Sequence, residues 1–213
     1  MPNYTPLALQ HLDSTIGSRT VEAFSVATEQ YPHLGGIAIN LDNSHQSSFH
    51  PSELGLAGSH ISIIADPSQY QDEIKKGITK VRMAEFSAMF RERGLLPSVP
   101  ELVTSTFLHE LGHAEDFYQY IQRAGGDVKA AFKLAGEVRK SEIAGLPLKG
   151  SSSAALNAWN HNKDGYRDKM QGVGFTPESF NIAVIDNLEA YTKLPCEQVA
   201  DRFALGVLAT MYS

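Results

Sequence analysis

The chain is poor in cysteine and has no long apolar run. Cys196 is the single cysteine among 213 residues, so no internal disulfide can form and the fold does not rely on an oxidising compartment. No uninterrupted apolar run approaches the ~20 residues that span a bilayer. The amino end also has no basic start, apolar core or small-residue cleavage site. We therefore expect a protein without a membrane span, cytoplasmic or exported without a classical signal peptide.

Positive charge is also scarce. Lysine and arginine total 18 against 24 aspartates and glutamates, and the formal net charge is −6. This balance lacks the basic footprint that phosphate backbones require, so nucleic acid is not an expected partner. The chain has no internal repeat, and its composition of 42% hydrophobic and 20% charged residues fits one globular domain over 1–213.

The amino-terminal half shows a mixture of helix and strand patterns. Residues 20–31 carry apolar side chains at helical spacing until Pro32 stops the helix. Residues 37–41 alternate as a strand does, and residues 60–66 form a short β-branched segment typical of a second strand. A polar loop joins the two. Asp66 then caps a predicted helix that runs to about Gly94.

The next predicted helix contains the most informative motif of the chain. Ser98 and Glu101 form a capping box at its start, and the pair Gly125–Gly126 marks its end. In its middle, His109 and His113 bracket the pattern His-Glu-x-x-His. Residues four apart share a helix face, so both imidazoles can approach a single ion, and the spacing suits tetrahedral zinc.

Glu110, inside the same motif, has a chemical role next to such an ion. Because it directly follows His109, its carboxylate points beside the metal rather than at it. In that position it can accept a proton from water that the zinc activates. We therefore identify Glu110 as the candidate general base.

A catalytic zinc usually has three protein ligands, so a third donor is needed. The segment LPCEQVADRFALGVLATMY predicts a helix that begins near Pro195 and places Glu197 and Asp201 four apart on one face. Glu197 lies 84 residues after His113. The alternative third donors are Asp116, His161, Asp164, Asp168 and Glu189.

The pattern His109-Glu110-x-x-His113 followed by Glu197-x-x-Ala200-Asp201 resembles the gluzincin metallopeptidases. The segment EQVADRFA is similar to the M48 group, whereas HELGHAEDFYQY is more similar to lethal-factor-type domains, so both types stay open. The resemblance covers about two short helices. It implies that Glu197 is the third zinc ligand and that Asp201 orients His109. A carboxylate behind an imidazole N–H fixes its tautomer and raises its basicity, which agrees with that assignment.

The resemblance also implies further parts of a peptidase site. A tyrosine shortly before the glutamate ligand stabilises the oxyanion in lethal-factor-like gluzincins, and Tyr191 stands six residues before Glu197. Tyr166 and His161 are the alternatives. Gluzincins also receive an extended peptide along an edge strand, for which residues 60–66 are the candidate. An internal strand buried on both sides is the other interpretation of that segment.

We therefore expect an α+β zincin-like domain: a small β-sheet with a backing helix, the motif helix, and a mostly helical carboxyl half. The boundary between an upper and a lower helical subdomain is expected near residues 125 and 126. The predicted function is zinc-dependent hydrolysis of peptide bonds in a peptide or protein substrate. The alternative is a catalytically silent zincin-like module that binds metal and a partner.

Overall fold

The computed structural model describes residues 17–42, 47–64, 99–146, 150–174, 177, 180 and 191–213. Within these ranges a three-stranded sheet accompanies six α-helices. The expectation of a mixed and mostly helical α+β chain is confirmed at this level. The predicted helix from Asp66 to Gly94 and the capping residue Ser98 lie outside the described residues.

The amino-terminal half begins with helix α1 (Ser18–Gln30), as the periodicity of residues 20–31 predicted. The helix ends where the Tyr31 N–H donates to the Ala27 carbonyl over 2.8 Å, and Pro32 opens a short 3-10 turn. The strands are β1 (Ala38–Asp42), β2 (Ser48–His50) and β3 (His60–Ile64). Strand β2 lies in the segment that sequence patterning assigned to a polar loop.

The strand order β1-β3-β2 corrects one expectation from the sequence. Strand β3 pairs in parallel with β1 on one side and antiparallel with β2 on the other. It is therefore the middle strand, and the prediction that residues 60–66 form the substrate-binding edge is wrong. The three isoleucines of β3 are fully buried, which explains why this strand takes the central place. Strand β2 is an edge of the described sheet.

Helix α2 (Val99–Arg123) carries the His-Glu-x-x-His motif near its middle. The helix ends at a pair of left-handed glycines, Gly125 at φ 65° and Gly126 at φ 90°. Their N–H groups donate to the carbonyls of Gln122 and Ile121, which satisfies two of the last helical acceptors. The helix predicted from Ser98 to the glycine pair is confirmed over the described residues.

The carboxyl half supplies four further helices: α3 (Val128–Ala144), α4 (Gly150–Asn160), α5 (Tyr166–Gly172) and α6 (Pro195–Met211). Helix α6 begins at Pro195, as its sequence predicted. Among the described helices, none has the combined length and apolarity needed to cross a membrane. The subdomain boundary expected near residues 125 and 126 stays a prediction.

The main core forms where α2 packs against α1, the sheet and α6. Phe107, Leu108 and Leu111 of α2 are fully buried, as are Ile61, Ile63 and Ile64 of β3. Helix α6 adds Ala204, Val207 and Leu208 to the same cluster. The apolar face of α2 therefore anchors the helix, and the orientation of its histidines follows from that packing.

Helices α2 and α6 approach each other most closely at Gly112. A Cβ atom at this position would lie 2.7 Å from the Ala200 Cα and 2.8 Å from the Ala200 carbonyl oxygen. Both contacts are with backbone, which cannot rotate away as a flexible side chain could. The crossing therefore requires glycine at position 112.

We predict that Gly112→Ala destabilises the protein by about 1–3 kcal/mol, because the added methyl forces the two helices apart. The free energy of unfolding in urea measures the effect. Gly206→Ala on α6 is the matched control, since a Cβ there meets nothing within 4 Å. That control should be neutral or stabilising by up to ~1 kcal/mol. Equal stabilities of the two variants would contradict the proposed tight crossing.

Candidate metal centre

The two motif histidines lie on the buried side of α2. His109 is 1% exposed, whereas the His113 side chain retains 19% of its surface. Their ring centroids are 4.6 Å apart and the ring planes are nearly perpendicular at 88°. The i and i+4 positions therefore bring the two imidazoles together, as the helical spacing predicted.

Helix α6 brings Glu197 to this pair. Glu197 is 1% exposed and occupies the first turn of α6, where the partial positive charge of a helix amino terminus favours a carboxylate. Its Oε2 lies 3.4 Å from His109 Nε2, and its Oε1 lies 3.6 Å from His113 Nε2. One ligand atom from each of the three residues lies within 4.8 Å of the others, so the group could hold a metal ion.

These separations fit two ligands of one tetrahedral ion. With metal–ligand bonds of about 2.0–2.1 Å, tetrahedral geometry separates neighbouring ligand atoms by about 3.3–3.4 Å. The 3.4 Å from His109 Nε2 to Glu197 Oε2 is close to that spacing, and the 3.6 Å from His113 Nε2 ends on the other oxygen, Oε1. Both distances are longer than a good N–H···O hydrogen bond. Two imidazoles and a carboxylate are also a donor set that zinc accepts. The residues present therefore fit a zinc ion.

Asp201 lies one helical turn after Glu197 and contacts the other nitrogen of His109. Its Oδ1 is 2.7 Å from His109 Nδ1, between two residues 92 positions apart in the chain. The Asp201 carboxylate accepts from Nδ1, so Nδ1 carries a proton, and in the neutral imidazole Nε2 then keeps the lone pair that a metal ion can take. This is the contact that the resemblance implied for Asp201.

Glu110 is buried beside this group and contacts the sheet. It is 7% exposed, and its Oε2 accepts a hydrogen bond of 2.8 Å from the Phe49 N–H of β2. Sequence patterning missed this partner, because it treated the three-residue strand as part of a loop. The edge strand β2 therefore contacts Glu110, the residue that the motif indicates as the general base.

Arg139 of α3 is the second participant that the sequence did not indicate. One guanidinium nitrogen, Nη2, is 2.8 Å from Glu197 Oε1 and 2.6 Å from the Tyr191 hydroxyl oxygen. Tyr191 in turn donates its hydroxyl to Glu197 Oε1 over 2.9 Å. Arg139 has no motif around it and stands on a helix with several other basic residues, so no local signal distinguishes it.

Cys196 adjoins the group without belonging to it. Burial raises the pKa of the Cys196 thiol to about 12, against the lowering effect of the nearby Arg139 charge, while a hydrogen bond and charge from Glu142 raise it further. Arg139 also donates a hydrogen bond to its sulfur. A protonated thiol is a poor metal ligand, and the group of ligand atoms that could hold a metal does not include Cys196.

Among the alternative third donors, the four that the structure describes do not join the two histidines. Asp164 and Asp168 are exposed, and His161 Nδ1 is 3.0 Å from the Asn157 carbonyl oxygen. Asp116 is half-buried on α2, where desolvation raises the pKa of its carboxyl group. Glu189 lies outside the described residues. In the part of the chain that the structure describes, His109, His113 and Glu197 form the one group suited to a metal.

The alternatives for the oxyanion-stabilising residue stay predictions. Tyr191 is 5% exposed and adjoins Glu197 through its hydroxyl. Tyr166 packs edge-on against Phe180, with ring centroids 5.9 Å apart.

Comparison with known proteins finds no similar protein. No family model, no curated protein and no solved structure matches this chain. The likeness to gluzincins therefore rests on the motif residues and on the geometry that brings them together.

We predict that Asp201→Ala lowers zinc affinity by about 10–100-fold, because His109 loses the group that fixes its tautomer and orientation. Competition with a chromophoric chelator measures the affinity. Asp168→Ala is the control, since Asp168 is an exposed aspartate whose contact is with Asn162. A similar loss in both variants would contradict a specific role for Asp201 and would return Asp168 to the candidate ligands.

Asp116 should make stability depend on pH. Its pKa is raised from 3.8 in the folded state, so the folded protein binds this proton more tightly than the unfolded chain. The protonated Asp116 carboxyl group therefore contributes stability to the folded state at low pH. This contribution is lost as pH rises through the raised pKa. We predict that Asp116→Asn stabilises the chelator-treated protein at pH 7.5 and that the gain shrinks towards pH 4. A gain that is the same at both pH values in urea unfolding would refute this.

Proposed function

We propose that this chain is a zinc-dependent metallopeptidase that hydrolyses peptide bonds within peptide or protein substrates. The observation that carries the proposal is that one ligand atom each of His109, His113 and Glu197 lies within 4.8 Å of the other two, so that the three could hold one metal ion. A structural zinc site is usually closed by four protein ligands, whereas three leave a position for catalysis. Glu110 beside the group supplies the second requirement of such an enzyme, a proton acceptor.

Zinc bound here would act as a Lewis acid that lowers the pKa of water and polarises the scissile carbonyl. The chain's own residues then handle the protons. We assign Glu110 as the base that accepts the proton of the attacking water and passes it to the leaving amine.

His109 and Asp201 supply the orientation of one ligand. The 2.7 Å contact holds the imidazole ring with its Nε2 lone pair towards the site. Burial of both residues excludes water that would compete for the Asp201 carboxylate. The pair therefore favours the deprotonated Nε2 that a metal requires.

Strand β2 is our assignment for the substrate-binding edge, in place of β3. Phe49 directs its N–H to Glu110, away from β3, and N–H and C=O of one strand residue point to the same edge. The Phe49 carbonyl is thus oriented to accept a hydrogen bond from an extended peptide that adds to this edge. Such a peptide would pass directly beside the base.

We predict that Glu110→Gln keeps zinc affinity within about 3-fold but slows cleavage of a mixed peptide library by about 10²–10⁴-fold, the usual contribution of a general base. Zinc content by mass spectrometry and cleavage by peptide sequencing measure the two effects. The matched control is Glu115→Gln, which changes another buried carboxylate of α2. Glu115 contacts His33 and Gln119 instead of the histidine pair. The Glu115→Gln variant should therefore cleave the peptide library at the wild-type rate.

Three results would contradict parts of the proposal. Less than about half an equivalent of zinc after supplementation would exclude the metal centre. Equal cleavage by wild type and Glu110→Gln would exclude Glu110 as the base. Bound zinc with no cleavage by the wild-type chain would favour the catalytically silent binding module.

A further inference from the structure

Arg139 reaches the candidate metal centre from a helix that contributes no ligand. Its side chain is 21% exposed, and its guanidinium lies over the Tyr191 ring at 5.4 Å from the centroid. The same group contacts Glu197 Oε1 and the sulfur of Cys196. Contacts with three different side chains fix the guanidinium plane, which a rigid fork of donors allows and an ammonium would not.

Arg139 and Tyr191 both donate to the same carboxylate oxygen of Glu197. Oε1 receives the Arg139 guanidinium at 2.8 Å and the Tyr191 hydroxyl at 2.9 Å. A carboxylate oxygen has two lone-pair positions, so these two donors occupy the acceptor capacity of Oε1. Oε2 is the oxygen 3.4 Å from His109 Nε2, the shorter of the two distances to the histidines. The carboxylate is therefore asymmetric: Oε1 accepts from both donors and lies 3.6 Å from His113 Nε2, whereas Oε2 lies nearer to His109 Nε2.

We propose that Arg139 is a positioning residue that, together with Tyr191, clamps Glu197 so that it binds the metal through Oε2 alone. The inference rests on the proposed metal centre and deepens it. A carboxylate held in this way gives three single-atom ligands, which preserves tetrahedral geometry and an open fourth position. A carboxylate free to rotate can bind through both oxygens and add a further ligand.

The same geometry assigns Tyr191 to the clamp. Its hydroxyl proton is directed to Glu197 Oε1, and the Arg139 guanidinium donates to its oxygen. Stabilising an oxyanion would require Tyr191 to break the bond to Glu197. Removing the hydroxyl should therefore alter metal coordination, and this distinguishes the clamp from a role limited to the reaction.

The test uses cobalt(II) in place of zinc, because the visible absorption of cobalt reports its coordination number. Arg139→Met removes the donors but keeps an unbranched side chain, and Arg139→Lys keeps the positive charge. We expect Arg139→Met to shift the cobalt spectrum towards higher coordination, with weaker absorption, and to lower zinc affinity by about 10-fold. Arg139→Lys keeps the charge but not the fork of donors, so its spectrum should lie between those of the wild type and Arg139→Met.

Tyr191→Phe should change the cobalt spectrum in the same direction as Arg139→Met, but less strongly, because the donor that remains on Oε1 is the charged guanidinium instead of a neutral hydroxyl. This variant and Arg139→Lys carry the test if circular dichroism shows Arg139→Met to be unfolded. Arg202→Met is the matched control, since Arg202 is exposed on α6, the helix that bears Glu197. It should leave both spectrum and affinity unchanged.

The outcomes separate the inference from the proposed function. A wild-type chain that binds neither cobalt nor zinc would refute the metal centre itself. A wild-type chain that binds cobalt, with an unchanged spectrum in Arg139→Met and Tyr191→Phe, would refute the clamp and leave the metal centre standing. A fall in affinity without a spectral change would also refute the clamp, because it indicates general destabilisation.

Discussion

The contact between Gly112 and Ala200 is the constraint on which the candidate site depends. Gly112 lies next to His113, and Ala200 lies between Glu197 and Asp201. A Cβ at Gly112 would be 2.7 Å from the Ala200 Cα, so the two backbones meet with no side chain between them. This close approach lets Glu197 and Asp201 of α6 reach the histidines of α2. A wider crossing would separate the carboxylates from the imidazoles.

Burying this group carries an electrostatic cost that the surroundings partly offset. Glu110, Glu197 and Asp201 are each less than a tenth exposed. Buried carboxylates are unfavourable unless hydrogen bonds or opposite charges compensate them. The Phe49 N–H and the Arg139 guanidinium provide such partners for the two glutamates. A divalent cation bound here would offset more of this cost and so stabilise the fold.

The elements that the sequence predicted well are those whose signals are local. The apolar spacing of α1, the glycine pair after α2 and Pro195 before α6 act within a turn or two of the backbone. The sheet was harder to predict. Strand β2 has three residues, too few for an alternating pattern, and pairing rather than composition places β3 in the middle.

The sequence by itself determined that His109 and His113 share a helix face and that Glu197 and Asp201 do the same on another, because helical geometry sets residues four apart on one side. Only the tertiary structure decided that the two faces meet, that β2 contacts Glu110, and that Arg139 joins Glu197 to Tyr191. These contacts connect residues far apart in the chain. They depend on how buried surfaces pack together, which no local pattern specifies.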